Sequence, residues 1–207
     1  MTSFREMVGD YYSSYEYKEL RDETKANYEY IIRQVLDTKI DGQNFGRVDV
    51  NKLTSKMCKL AYDEWCERGI HFANKAMAIA RVVYNHGLRM EMVSRNPFNA
   101  VRRRTPKSRT TLWEKEDIMK LLDTAYSDFS TRNLGLIAQM AYEWCQRVGD
   151  MRLLKWDNID FDEQRVHILQ SKRRAEVYLP ISDDLMEMLT QQHEDFGFQE
   201  YVAPRPN

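Results

Sequence analysis

Apolar residues along TKANYEYIIRQVLDT, residues 24 to 38, fall at Tyr28, Ile31, Ile32, Val35 and Leu36, the i, i+3, i+4, i+7, i+8 stripe of an amphipathic helix. Thr24 is positioned as its N-cap. A loop containing Gly42 and Gly46 follows, and Thr54 can cap a second helix whose Met57, Leu60, Ala61 and Trp65 face a core, with Gly69 as its stop. A third helix begins near His71, where Phe72, Ala76, Ile79, Ala80 and Val83 share one face rich in small residues. Asn96-Pro97 ends this helical unit, because the residue before proline avoids the helical region.

A second set of periodic segments starts after Trp113. Residues 114 to 125 predict a helix with Ile118, Leu121 and Leu122 inward and acidic residues in the first turn, where the helix dipole favours them. A further helix over 131 to 145 is expected to bury Leu134, Ile137, Ala138, Ala141 and either Tyr142 or Trp144. The period then changes to two: RVHILQ (165 to 170) and EVYLP (176 to 180) alternate around SKRRA, which predicts a β-hairpin. A last helix runs from Ser182 or Asp183 to about Gln192 with Leu185, Met188 and Leu189 inward. The expected fold class is mainly α with a small β-hairpin or sheet, and the expected domains are 1–98, a linker 99–112, and 113–207.

Composition narrows the function classes. The 207 residues carry 31 Lys+Arg against 32 Asp+Glu, so the net charge of −1 excludes a histone-like or polybasic protein. Three cysteines without a CxxC pair are too few for a disulfide scaffold and point to a reducing, cytoplasmic setting. No apolar run reaches the roughly 18 to 20 residues of a membrane span, the N-terminus has no signal core, and the four histidines lack zinc spacing, so neither a membrane nor a metal is expected.

The neutral total conceals a local excess. Between Met92 and Trp113 no acidic residue occurs, while Arg95, Arg102, Arg103, Arg104, Lys107 and Arg109 contribute six positive charges. A basic linker of this kind can lie along a phosphate backbone and displace counterions; the alternative, which short basic runs always offer, is a solvated tether. Arg147 stands where an apolar helix gives way to a short amphipathic one, and its planar fork suits a phosphate, although Asp150 three positions on offers a structural ion pair. Lys172, Arg173 and Arg174 occupy the hairpin tip, where no core demands them, so they either enter a groove or form a solvated turn.

The order of these features resembles one family, the tyrosine recombinases of the phage-integrase type. The resemblance covers about Thr24 to Pro180. The N-terminal unit, with T-x-x-x-Y at Thr24 and Tyr28, Trp65, the Ala-rich third helix and the closing RNP at 95 to 97, is similar to the family's helical, SAM-like core-binding domain. TLWEKEDIMKLL (111 to 122) is similar to the opening helix of its catalytic domain. In QRVGDMRLLKWDNID, Arg147 takes the place of the first catalytic arginine and Asp150 that of the acidic residue behind it; Leu153, Leu154, Trp156, Ile159 and Asp160 match the rest of the box. Counting back from Leu179-Pro180-Ile181, Lys172 falls on the hairpin lysine.

The resemblance implies metal-free, cofactor-free phosphoryl transfer through a 3′-phosphotyrosine, serving site-specific integration of DNA, viral genomes included. Arg147 would neutralise the phosphate oxygens, Lys172 would protonate the leaving 5′ oxygen, and Asp150 would orient Arg147. The implied partners are double-stranded DNA at recombination sites, gripped by two domains in a C-shaped clamp, and other recombinase protomers assembled on that DNA. The implied location is the cytoplasm, or the host nucleoid for a phage-encoded protein. The one H-x-x-R of the sequence, His86 to Arg89, lies in the third helix; no such box follows the hairpin and no tyrosine stands in the nucleophile's context, so the expectation is a partial catalytic domain, inactive alone and monomeric in solution. A non-catalytic DNA-binding protein that occupies attachment sites and modulates an intact recombinase is the alternative, and a helical protein-interaction module is a third.

Overall fold

The structure, a computed structural model, describes residues 2–40, 42–108 and 110–204. The chain divides into two compact units, Met1–Arg109 and Thr110–Asn207.

The first unit contains helices α1 (Phe4–Ser13), α2 (Tyr15–Lys18), α3 (Asp22–Asp37), α4 (Ser55–Glu67) and α5 (Ile70–Arg89), with a short antiparallel pair β1 (Lys39–Ile40) and β2 (Gln43–Asn44) after α3. α1 was not foreseen from the apolar pattern. It is opened by a capping box in which the Ser3 hydroxyl accepts from the Glu6 N–H and the Glu6 carboxylate accepts from the Ser3 N–H. Its Phe4, Met7, Val8 and Tyr11 lie on one face and are buried.

α3 begins two residues earlier than Thr24. Arg21 is the N-cap residue and its side chain makes no capping hydrogen bond to the helix; Asp22 and Glu23 place negative charge in the first turn, which stabilises the helix start in place of a hydroxyl cap. Thr54 does cap α4, accepting from the Met57 N–H at 3.2 Å. Within α4, Leu60 is exposed and Cys58, Ala61, Tyr62 and Trp65 are buried, so the inward face is rotated from the expected one. Gly69, at φ +117°, turns the chain between α4 and α5, a conformation that costs a side-chain-bearing residue strain.

The core of this unit is aromatic. Phe98, delivered by the 3₁₀ turn Pro97–Ala100, meets Phe4, Phe45, Trp65 and Tyr84 at ring-centroid distances of 5.4 to 6.5 Å. The one indole N–H in that cluster is satisfied, donating to the Thr38 hydroxyl at 2.8 Å.

The second unit packs α6 (Lys115–Tyr126), α7 (Arg132–Glu143), the single-turn α8 (Val148–Met151) and α9 (Asp183–Phe196) with a three-stranded antiparallel sheet, β3 (Ile159–Asp160), β4 (Arg165–Leu169) and β5 (Glu176–Pro180). The expected hairpin is present, registered by Arg165 opposite Pro180 and Leu169 opposite Glu176, and β3 adds an edge that the pattern did not announce. Val166 and Ile168 point into the core while Arg165, His167 and Leu169 alternate away from it. Ser182 caps α9 by accepting from the Leu185 N–H at 3.2 Å. α7 buries Gly135, Leu136, Gln139 and Met140, whereas Leu134 and Tyr142 are exposed, so of the residues expected inward only Trp144, its C-cap residue, is fully buried. Thus the observed architecture is mainly α, with a two-stranded and a three-stranded antiparallel sheet among the described residues.

Candidate functional site

The junction between α7 and α8 is built by an unusual backbone. After the C-cap residue Trp144, Cys145 adopts φ +50°, which reverses the chain and places Arg147 at the N-cap of α8 in an extended conformation. The junction is anchored to the sheet by the Trp144 indole, which donates to the Pro180 carbonyl at 3.1 Å. Polar side chains extend the anchor: Ser182 donates to Glu143 at 2.6 Å, Gln139 donates to the other oxygen of Glu143 at 2.8 Å, and the Tyr126 hydroxyl donates to Gln139 at 2.6 Å. Burial, and then the negative charge of Glu143, push the Tyr126 hydroxyl above the usual tyrosine range, so it stays a donor.

Arg147 is half-exposed, with 43% of its side chain accessible, and Asp150 is buried at 4%. Their nearest approach, Nη1 to Oδ2, is 3.6 Å, an ionic contact too long for a hydrogen bond. The ion pair that the sequence allowed is therefore real but loose. It leaves the Arg147 side chain partly accessible, and it leaves Oδ2 of Asp150 without a hydrogen bond among the described residues. A buried carboxylate with an incomplete hydrogen-bond shell depends on the nearby cation for compensation. The other oxygen, Oδ1, accepts from the backbone N–H of Ser171 at 3.2 Å.

Ser171 is the first residue of the hairpin turn, so Asp150 connects the Arg147 junction to the segment carrying Lys172. The turn itself is closed by Gln170 N–H to the Ala175 carbonyl at 2.8 Å and Arg174 N–H to the Gln170 carbonyl at 2.9 Å, with Arg174 at φ +54°. Lys172, Arg173 and Arg174 are exposed and form no ion pair among the described residues. The structure thus brings Arg147, Asp150 and the Lys172 turn to one edge of the second unit. Two residues of this edge, Gln146 and Gln170, escaped the sequence reading; their side chains bond to each other at 2.7 Å. Their only signal was position, one just before Arg147 and one two residues before Lys172.

The basic run belongs to the first unit, and it is held there. Arg81 donates to the carbonyls of Phe98 and Val101 at 2.6 to 3.2 Å, and Asn96 caps the Phe98 N–H at 3.0 Å. At Arg104 the backbone N–H donates to the Tyr62 hydroxyl at 2.6 Å and the carbonyl accepts from Asn74 at 2.8 Å. A free tether is therefore not what this stretch is as far as Arg104. The Arg104 guanidinium reaches Asp63 at 3.4 Å, whereas Arg95, Arg102, Arg103 and Lys107 are exposed and unpaired among the described residues. Arg109 lies outside the described residues.

Among the described residues no helix is long and apolar enough to cross a membrane, and no group of three acidic, histidine or cysteine side chains is placed to hold a metal.

Comparison with known proteins locates this architecture. Residues 108–202 match the model of the phage integrase family. Among solved structures, a lambda integrase dimer bound to a COC′ core site is similar at 19% identity and a TM-score of 0.78, over 98% of this chain and 57% of that chain. A lambda integrase tetramer bound to a Holliday junction gives 18% identity and a TM-score of 0.79, covering 98% and 60%. The Tn1549 transposon integrase in complex with transposon right end DNA gives 10% identity and a TM-score of 0.77, covering 100% and 74%. The chain therefore shares the fold of these integrases over nearly all of its length and spans little more than half the length of the first of them. No curated protein matches it in sequence.

Proposed function

We propose that the chain, whose residues 108–202 match the model of the phage integrase family, acts in site-specific DNA recombination, binding duplex DNA and contributing the phosphate-clamping part of a phosphoryl-transfer site. The observation that carries the reading is the single edge on which Asp150 joins the Arg147 junction to the Lys172 turn.

Transfer of a phosphodiester to a tyrosine hydroxyl concentrates negative charge on the non-bridging oxygens and expels a 5′ alkoxide. A guanidinium already held in place answers the first demand, since its donors need no reorganisation when charge develops. Arg147 fits that demand through its loose ionic contact with buried Asp150 and the 43% of its side chain that stays accessible to a phosphate. The second demand is a proton for the leaving oxygen, which the Lys172 ammonium supplies as general acid, leaving a neutral amine. Asp150 touches no reacting atom in this scheme; it positions. No tyrosine of residues 1–207 is assigned as nucleophile, since Tyr142 is exposed on α7, Tyr178 stacks on His167, and Tyr201 lies over Lys155.

Support for DNA as the partner comes from the free cations Arg95, Arg102, Arg103 and Lys107, together with Arg173 and Arg174, and from the DNA carried by the similar lambda and Tn1549 integrases. The test is duplex binding across a salt series. Affinity should fall steeply with salt, and Arg102→Ala or Arg103→Ala should each make the slope of log K against log salt shallower by about 1 for every phosphate that the arginine neutralises. Affinity that is absent or indifferent to salt removes the DNA reading. A nicked suicide duplex should trap no covalent adduct with this chain; an adduct would place the nucleophile on one of its own tyrosines.

A further inference from the structure

Two polar contacts join the surroundings of Arg147 to the base of the Lys172 turn. Gln170 Nε2 donates to Gln146 Oε1 at 2.7 Å, and Gln146 Nε2 donates to the Trp144 carbonyl at 3.0 Å. The Ser171 N–H donates to Asp150 Oδ1 at 3.2 Å. Gln146 and Asp150 bracket Arg147 on one segment, and Gln170 and Ser171 immediately precede Lys172 on the other.

We propose that these contacts form a latch fixing the Lys172 turn to the Arg147 junction, and that Gln146 and Gln170 are positioning residues for Lys172. The inference rests on the roles given above to Arg147 and Lys172. Its physical basis is the exposure of the turn. All of residues 171–175 are exposed, so no apolar packing fixes the turn's direction. The ladder of β4 and β5 ends at Leu169 opposite Glu176, and the backbone bonds from Gln170 to Ala175 and from Arg174 to Gln170 close the turn on itself. Without an attachment, the turn and its flexible lysine would sample a volume far wider than the sub-ångström tolerance of proton transfer. The half-buried Gln146–Gln170 bond is partly screened from competing water, and the bond from Gln146 to the Trp144 carbonyl aims its oxygen at Gln170. Trp144 is itself anchored on β5, so the latch closes a loop from sheet to junction to turn.

The latch has a direction, which makes the same substitution unequal in effect at its two ends. Gln146→Glu keeps the acceptor that Gln170 uses and loses only the donor to the Trp144 carbonyl, whereas Gln170→Glu replaces the donor with an acceptor facing another acceptor. The experiment is amide hydrogen exchange over 170–175, with tryptic cleavage after Lys172, Arg173 and Arg174 as a second readout, on the full chain. Gln170→Glu and Gln146→Leu should open the turn about fivefold more often, the loss of one net hydrogen bond of about 1 kcal/mol. Gln146→Glu, which loses the bond to the Trp144 carbonyl and keeps the acceptor for Gln170, should open the turn less than Gln170→Glu does, and thermal unfolding should show all three variants folded. Equal exchange and cleavage for Gln170→Glu and Gln146→Glu overturn the latch. Duplex affinity of the unmodified chain is measured in parallel across a salt series. If the latch variants loosen the turn while the unmodified chain shows no salt-dependent binding, the latch stands and the DNA reading is what fails.

Discussion

Cys58 and Cys145 show how far two residues of one type diverge when their surroundings differ. Cys58 is fully buried in α4, and the loss of solvation for its thiolate pushes the thiol up to about 12. Cys145 is exposed at the α7–α8 junction, two residues from Arg147. A disulfide-exchange reagent at pH 8 should therefore titrate Cys145 within minutes and Cys58 only after denaturant is added; rapid labelling of Cys58 in the folded protein would show that the α4 core opens. A bulky adduct on Cys145 also tests the junction, because the left-handed backbone there has to persist for Arg147 to keep its place. At this scale the sequence revealed the charged members of the site more readily than the neutral ones. Arg147, Asp150 and Lys172 stood out because charge at a helix junction or a turn needs a reason. Gln146 and Gln170 did not, since glutamine is unremarkable at any surface position and its role depends on a partner 24 residues away.

At the scale of elements, α7 is the instructive case. Its sequence is apolar on nearly every side, so two faces compete: Leu134, Ile137, Ala138 and Ala141, or Gly135, Leu136, Gln139 and Met140. The second is buried, and Gly135 decides it. A Cβ at that position would lie 2.8 Å from the Tyr126 ring and 3.1 Å from the Ala125 methyl, so the bare glycine is what lets α6 lie close against α7. Periodicity alone could not separate the faces, because it weighs a glycine as merely small. Gly135→Ala follows as a test. Helix propensity favours alanine by up to about 1 kcal/mol, but the Tyr126 ring has to yield while its hydroxyl is bound to Gln139, and overpacking of this kind costs about 1–3 kcal/mol. Urea unfolding should show net destabilisation; a stabilised variant would mean that α6 and α7 separate freely. α1 is the complementary case, legible in principle from Ser3, Glu6 and the spacing of Phe4, Met7, Val8 and Tyr11, yet easily passed over in a search of the N-terminus for targeting signals.

For the molecule as a whole, a net charge of −1 says little, and the distribution of protons on buried groups says more. Burial raises the hydroxyls of Tyr17 and Tyr84 above the normal tyrosine range and brings Tyr12 to about 12; in Tyr17 a bond to Glu29 adds to the effect. Cys58 joins them in the first unit, and Tyr126 is the corresponding group in the second. Each of these groups is neutral when protonated and has a folded pKa above its unfolded value. Folding therefore retains protons that the unfolded chain has released, and the resulting stability is complete below the unfolded pKa, roughly 8.5 for the thiol and 10 for the phenols. It declines as pH rises through those values toward the raised folded ones. Urea midpoints should accordingly change little on account of these groups between pH 6 and 8 and fall progressively above about pH 9. With four of the five groups in residues 1–109, hydrogen exchange resolved along the chain should show the first unit losing protection before the second as pH is raised. Loss of the second unit first would place the alkaline weakness outside the tyrosine-lined core around α1, α2 and α5.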